Sequence, residues 1–293
     1  MPFRLVPEDD HRHTLEPGEH EAFYFQFTSP DGSVFGFIRT LFDREGILEL
    51  VALRAGGRAW SHQQRAPLSD APATDASGPS LRLTCLEPWR AWRCLFQGAV
   101  QGVKGGMAAE AVLNLTFTAS GDPTPYRFGP YQQVQQDGRL DGRLRVGPET
   151  WTGGLLCSRD RSWGRRPMGA ATGWTVVSVP GHLYVAVVQT EGGTVCFGQF
   201  TPPDGQRVPA RAARVSPEGD GCVIEDREAG VGAWRARRLA PPLVAHLGPA
   251  GQEALRDEPR PGDLLRDEIG PALFTSPEGE EVVGFLEQAR RLV

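Results

Sequence analysis

The sequence predicts an all-β protein, two tandem β-barrel domains with little helix. Three observations carry that expectation. Short runs with a period of two recur along the chain, the pattern of strands with one buried face. Glycine (36 residues) and proline (25 residues) punctuate these runs as turns do. The runs number about sixteen, which suits two barrels of about eight strands, each wide enough for one small ligand.

The elements follow in order. In residues 21–28, Phe23, Phe25 and Phe27 share one face, with Tyr24 and Gln26 on the other. Residues 34–41, 47–53, 81–86 and 92–97 have the same character. Residues 109–119 put Ala111, Leu113, Leu115 and Phe117 on one face. Residues 129–136, 139–146 and 151–158 follow. The second half adds 174–179, 183–190, 194–200, 207–215, 221–226, 232–238 and 281–287. In 183–188 both faces are apolar, which predicts a strand covered outside as well as inside. Residues 66–79 lack periodicity and read as a mobile surface loop. Residues 250–258 could form two helical turns, and 249–277 reads as a surface connection before a last strand. Residues 283–292 could be strand or helix. The turn cluster Gly121-Asp122-Pro123-Thr124-Pro125 places the join between barrels: the first takes residues 1–128, the second 129–293.

Composition excludes several functions. A net charge of −5 and a pI near 5.7 argue against a nucleic-acid partner. The N-terminus has no apolar h-region and no window is apolar enough to span a bilayer, so neither export nor an integral membrane segment is expected. Five cysteines without a C-x-x-C pair predict reduced thiols and a cytoplasmic protein. Phosphate-loop, dinucleotide, nucleophile-elbow and zinc-helix motifs are all missing. His11 and His13 are spaced for weak metal binding, but no supporting ligands accompany them.

The densest polar-aromatic element is Arg159-Asp160-Arg161-Ser162-Trp163-Gly164-Arg165-Arg166, preceded by Tyr131, Gln132, Gln133, Gln135 and Gln136. With Glu21-Ala22-Phe23-Tyr24-Phe25, Gly36-Phe37-Ile38-Arg39 and Pro88-Trp89-Arg90-Ala91-Trp92-Arg93, it resembles the carotenoid 1,2-hydratase / AttH-like (hydroxyneurosporene synthase-like) double-lipocalin superfamily. The resemblance covers most of residues 20–200 and weakens after about 240. The Arg-Asp-x-Ser-Trp-Gly element is moderately specific; the rest is pattern. The resemblance implies two tandem lipocalin-like (calycin) barrels and an apolar ligand. In some members it implies cofactor-free hydration or cyclisation. The chain departs from the family pattern at two positions: Arg161 replaces the usual His, and Gln135 the usual Glu.

Protonating an alkene needs an acid beside an apolar pocket and aromatic faces to stabilise a cation. Asp160 is the candidate acid. Tyr131, Gln135, Arg161, Trp163, Trp174 and His62 are candidate ligand-binding residues, with Trp89 and Trp92 as further pocket aromatics. Each has a plainer alternative. Asp160 could belong to a structural Asp–Arg–Ser network, the indoles to the core, and His62 to a polar loop. If Arg159 and Arg161 converge on Asp160 they hold it ionised. On a strand, however, they point away from it. The expectation is a cofactor-independent enzyme acting on a hydrophobic, isoprenoid- or polyketide-like molecule in a barrel cavity. The alternatives are a hydrophobic-ligand carrier and an interaction protein with a filled barrel.

Overall fold

The computed structural model describes residues 4–68, 70–165, 171–202, 205–248, 253–256 and 258–292. Among them the only helical element is a single 3-10 turn at Pro7–Asp10; everything else regular is antiparallel strand. The chain divides into two compact units.

The first unit holds β1 (His20–Thr28), β2 (Phe35–Asp43), β3 (Gly46–Ala55), β4 (Arg58–Ala66), β5 (Leu81–Glu87), β6 (Ala91–Gly102), β7 (Ala108–Ala119), β8 (Thr124–Phe128), β9 (Tyr131–Val146), β10 (Glu149–Thr152) and β11 (Leu155–Gly164). Pairing runs β9–β11–β1–β2–β3–β4–β6–β7 and returns to β9, closing a ring. The β7–β9 join extends from Ala111 to Ala119, whereas β4 meets β6 only at Trp60↔Gly102 and Ser61↔Gln101. The strand β5 lies along β6 beside that short seam.

Strand alternation decides what fills the ring. Phe23, Phe25 and Phe27 lie opposite Arg161, Arg159 and Cys157 on one side, and Thr40, Ile38 and Gly36 on the other. These positions face inward with Trp92, Phe96, Leu113, Leu115, Phe117, Leu140 and Leu144, all buried in one apolar cluster. Gly138 is required by this packing, since a Cβ there would sit 2.4 Å from Phe117 Cε2.

Two expectations are corrected here. The motif lies in the first unit, because β9 and β11 pair within its sheet. The division therefore falls between Arg165 and Ala171 rather than at residues 128 and 129. The turn at 121–125 merely leads into β8, which remains hydrogen-bonded to β9; turn residues mark chain reversals, not domain ends. Residues 66–79 are also less free than expected. Cys85 N–H donates to Thr74 O and Ala76 N–H to Leu83 O, both at 2.8 Å, and Ala76 is buried.

The second unit holds β12 (Ala171–Val179), β13 (Leu183–Thr190), β14 (Gly193–Phe200), β15 (Val208–Pro209), β16 (Arg214–Glu218), β17 (Gly221–Asp226), β18 (Val231–Arg238), β19 (Leu243–Leu247), β20 (Glu253–Leu255), β21 (Leu265–Thr275) and β22 (Glu281–Arg291). Its main path is β15–β14–β13–β12–β22–β21–β18–β17–β16. Val177, Val185, Phe200, Ile224, Trp234, Phe274 and Leu286 form the core. In β13, Tyr184 and Ala186 are buried as well as Leu183, Val185 and Val187, the two-sided burial the sequence predicted.

Residues 265–275 form strand, not the predicted surface connection: Asp267, Gly270 and Pro271 hid the alternation. Residues 253–255 are strand where helical turns were expected; the rest of that stretch lies largely outside the described residues. Arg238 is half-buried and donates to Gln288 Oε1 at 3.0 Å.

Candidate functional site

The motif strand β11 presents two different chemistries because its side chains alternate. Arg159, Arg161 and Trp163 point into the first ring; Ser158, Asp160 and Ser162 point out.

The inward side is saturated. Arg159 pairs with Asp10, and neither side chain is exposed. Asp10 also accepts the Trp92 indole N–H at 2.9 Å and the Trp89 backbone N–H at 2.7 Å. The guanidinium of Arg159 lies 4.9 Å from the Trp92 ring centroid and 5.4 Å from that of Phe25. Arg161 pairs with Glu21, again with neither exposed, and stacks 4.0 Å from the Phe23 centroid and 5.0 Å from Trp163. Glu21 also accepts the His13 backbone N–H at 2.9 Å and contacts its Nδ1 at 2.7 Å. Burial alone would raise the Glu21 carboxyl, but Arg161 and His13 outweigh it and the net direction is down. Burial also draws Arg161 down despite Glu21. The carboxylate's direction bears on stability, since arginine stays protonated either way.

Trp89 completes this network. It is the one described non-glycine residue with positive φ (59°). Its indole N–H donates to Val6 O at 2.9 Å, and its carbonyl accepts from Gln136 at 2.7 Å. Such backbone strain persists only where surroundings over-determine it.

The outward side differs. Asp160 is half-buried and accepts a hydrogen bond from the Gln133 amide. The Gln135 amide donates to Ser158 Oγ. Register places Thr124, Gln135, Asp160, Tyr24, Arg39 and Leu50 in one row across five joins. Gln26, Gln133, Gln135, Ser158 and Ser162 on this face are buried, as are the apolar Phe37, Leu50 and Ala52.

The predicted site residues therefore separate. Asp160 shares its face with Gln135 and Tyr131; Tyr131 is buried and stacks on Phe128 at 6.3 Å. Arg161 and Trp163 face the opposite way, so the expectation that they address a ligand beside Asp160 is corrected. Asp160 itself does not point into the barrel interior. Trp174 lies in the second unit, where its indole N–H donates to Glu287 Oε1 at 2.5 Å. His62 is on strand β4 rather than in a loop. It bonds Glu49 at 2.9 Å and Ala99 O at 3.1 Å. Trp92 is core. Arg166 lies outside the described residues.

Sequence reasoning missed Asp10, Glu21, Glu49 and His13. Glu21 and Glu49 carried a signal: each is an acid on the apolar face of a period-two run. Asp10 carried none, since its partners stand about eighty to one hundred and fifty positions away. Among the described residues no His, Cys, Asp and Glu group is assembled to hold a metal.

Comparison with solved structures gives the same architecture. A protein of Nitrosomonas europaea named as an AttH aligns with TM-score 0.71 and 13% identity, covering 97% of this chain and 96% of that one. Kievitone hydratase from Nectria haematococca aligns with TM-score 0.58 and 10% identity, over 97% and 91%. CghA with Sch210972 aligns with TM-score 0.56 and 14% identity, over 95% and 89%. At these identities the likeness shows the fold, two tandem lipocalin-like barrels. No curated protein matches the chain at the level of sequence. One family profile does match, over residues 6–237, and the chain belongs to that family, described as Domain of unknown function (DUF7064).

Proposed function

We propose that the chain is a cofactor-independent enzyme of hydratase or cyclase type, acting on an apolar isoprenoid- or polyketide-like molecule, with Asp160 as its acid. The observation that carries this is the outward face of β11. A half-buried carboxylate held by an amide stands among buried polar groups and apolar neighbours, the make-up of a small-molecule site. The name of one fold neighbour, a hydratase, supports the same class of chemistry.

The step is proton transfer. The Asp160 carboxyl protonates one alkene carbon, leaving a cation on the other. Water adds there and returns a proton to the Asp160 carboxylate, so hydration consumes only water. In a cyclisation a second alkene attacks the cation instead, and the new cation loses a proton to the Asp160 carboxylate, forming an alkene and restoring the acid. Gln133 holds the carboxylate throughout and Gln135 stands directly across from it, with Tyr131 four positions along the same face, opposite Gly164. The substrate does not enter the first barrel, whose interior is packed.

A carrier for a hydrophobic ligand is the second reading. It is favoured by Arg161, which stands at the histidine position of the superfamily pattern that the sequence resembles and is committed to Glu21. Incubating the protein with prenylated aromatics and linear polyenes in H₂¹⁸O and in D₂O, followed by mass spectrometry, separates the two. Label uptake that Asp160→Asn abolishes without moving the thermal melt supports the enzyme. Binding without label uptake by the wild type supports the carrier.

A further inference from the structure

The second unit contains a cavity that the Asp160 reading does not use. It is a half-open pocket of about 410 Å³, lined by His182, Phe200, Val231, Trp234, Glu278 and Glu280 among others, within the size range of small-molecule pockets. Its floor is apolar: Phe200 and Trp234 are 2% and 6% exposed. His182 stands edge-on to Trp234 with ring centroids 5.8 Å apart.

Two features say what would fit. Trp234 is more than nine-tenths buried, yet its indole N–H has no acceptor among the described residues. The nitrogen is not sealed off but reaches solvent, and an oxygen brought by a ligand can accept its N–H in place of water. Glu278 and Glu280 stand exposed on the hairpin between β21 and β22, with no cationic partner among the described residues. Their backbone N–H groups both donate to Ser276 Oγ at 3.2 Å, which fixes the turn that carries them. Two carboxylates at the rim attract cations and repel anions.

We infer that this cavity is a second small-molecule site, selective for uncharged or cationic ring compounds that carry a carbonyl or hydroxyl oxygen. The apolar body packs on Phe200, Val231 and Trp234, and the oxygen accepts the Trp234 N–H.

The test uses the full chain and two naphthalene probes. Prodan is neutral and has a ketone oxygen; anilinonaphthalene sulfonate has a similar ring system and is anionic. Prodan should bind with blue-shifted emission. Trp234→Phe keeps the ring and removes the donor, and should weaken prodan about tenfold, the scale of one lost hydrogen bond. The sulfonate should fail to displace prodan from the wild type but displace it from the doubly substituted Glu278→Gln, Glu280→Gln protein. Those two carboxylates are exposed, so this arm stands even if Trp234→Phe does not fold. Asp160→Asn should leave prodan binding unchanged. Equal prodan affinity in folded Trp234→Phe, equal displacement by the sulfonate with and without the carboxylates, or loss of prodan in Asp160→Asn would each overturn the inference.

Discussion

Asp160 and Arg161 are adjacent in the chain and serve opposite sides of one sheet. The guanidinium is consumed inside the ring by Glu21, while the carboxylate is held outside it by Gln133. Arg161 is thus a structural cation, and the carboxylate beside it lies in a different environment.

Glu21→Gln should therefore act on stability. It removes one partner of a fully buried pair and strands Arg161, a loss of about 3–5 kcal/mol. Chemical denaturation should show it as a lower midpoint. An unchanged midpoint would mean that His11 O, which accepts from Arg161 at 2.7 Å, carries the cation alone.

The same pair gives an acid dependence. The folded Glu21 carboxyl lies below its ordinary value of 4.5. Its contribution is present above the unfolded pKa and lost as pH falls through the depressed folded value. Stability measured downward from pH 5 should fall less steeply in Glu21→Gln than in the wild type.

His62 should act in the other direction. Both its ring nitrogens meet acceptors only, the Glu49 carboxylate and the Ala99 carbonyl, so the doubly protonated ring satisfies both. The hydrogen bond to Glu49 raises its pKa above 6.5. This contribution is full below the unfolded pKa and fades as pH rises through the raised folded value. His62→Gln should cost roughly 1–2 kcal/mol at pH 6 and less at pH 9, read from melts at the two pH values.

The thiols should be inert in the native protein. All five cysteines are free, as their spacing predicted. Burial pushes Cys85, Cys94 and Cys222 up to about 12, and raises Cys157 and Cys196 as well. A thiol reagent at pH 8 should react slowly with the folded chain and promptly with five groups in denaturant. Fast native labelling would contradict this burial.

Asp10→Asn tests how the N-terminal segment is tied to the first unit. Losing its charge leaves Arg159 buried without a carboxylate, so a loss of about 3–5 kcal/mol is expected. A melt unchanged by the substitution would show that Gln136, which accepts from Arg159 at 3.3 Å, suffices.

Period two made the strands legible because water enforces it wherever one face is exposed. It also separates Asp160 from its arginine neighbours, since i−1 and i+1 on a strand face away from i. Residues 265–275 were hidden because Asp267, Gly270 and Pro271 interrupt the pattern. The domain join was misplaced because a turn between paired strands looks, in sequence, like a turn between domains. Asp10 was invisible because a partner is named by space, and nothing local in Pro7–Asp10 points to Trp92 or Arg159.

The short seam between β4 and β6 sets where the first ring would part. Eleven paired positions hold β6 to β7, from Ala91↔Thr118 to Gln101↔Ala108, against two holding β4 to β6. Local opening follows the fewest shared backbone bonds. Amide protons at residues 61, 101 and 103, which face that seam, should thus exchange with solvent ahead of those deep in β7 and β9. The ring would then behave as a curled sheet fastened at one edge, able to loosen there while its opposite wall, including β11, stays intact.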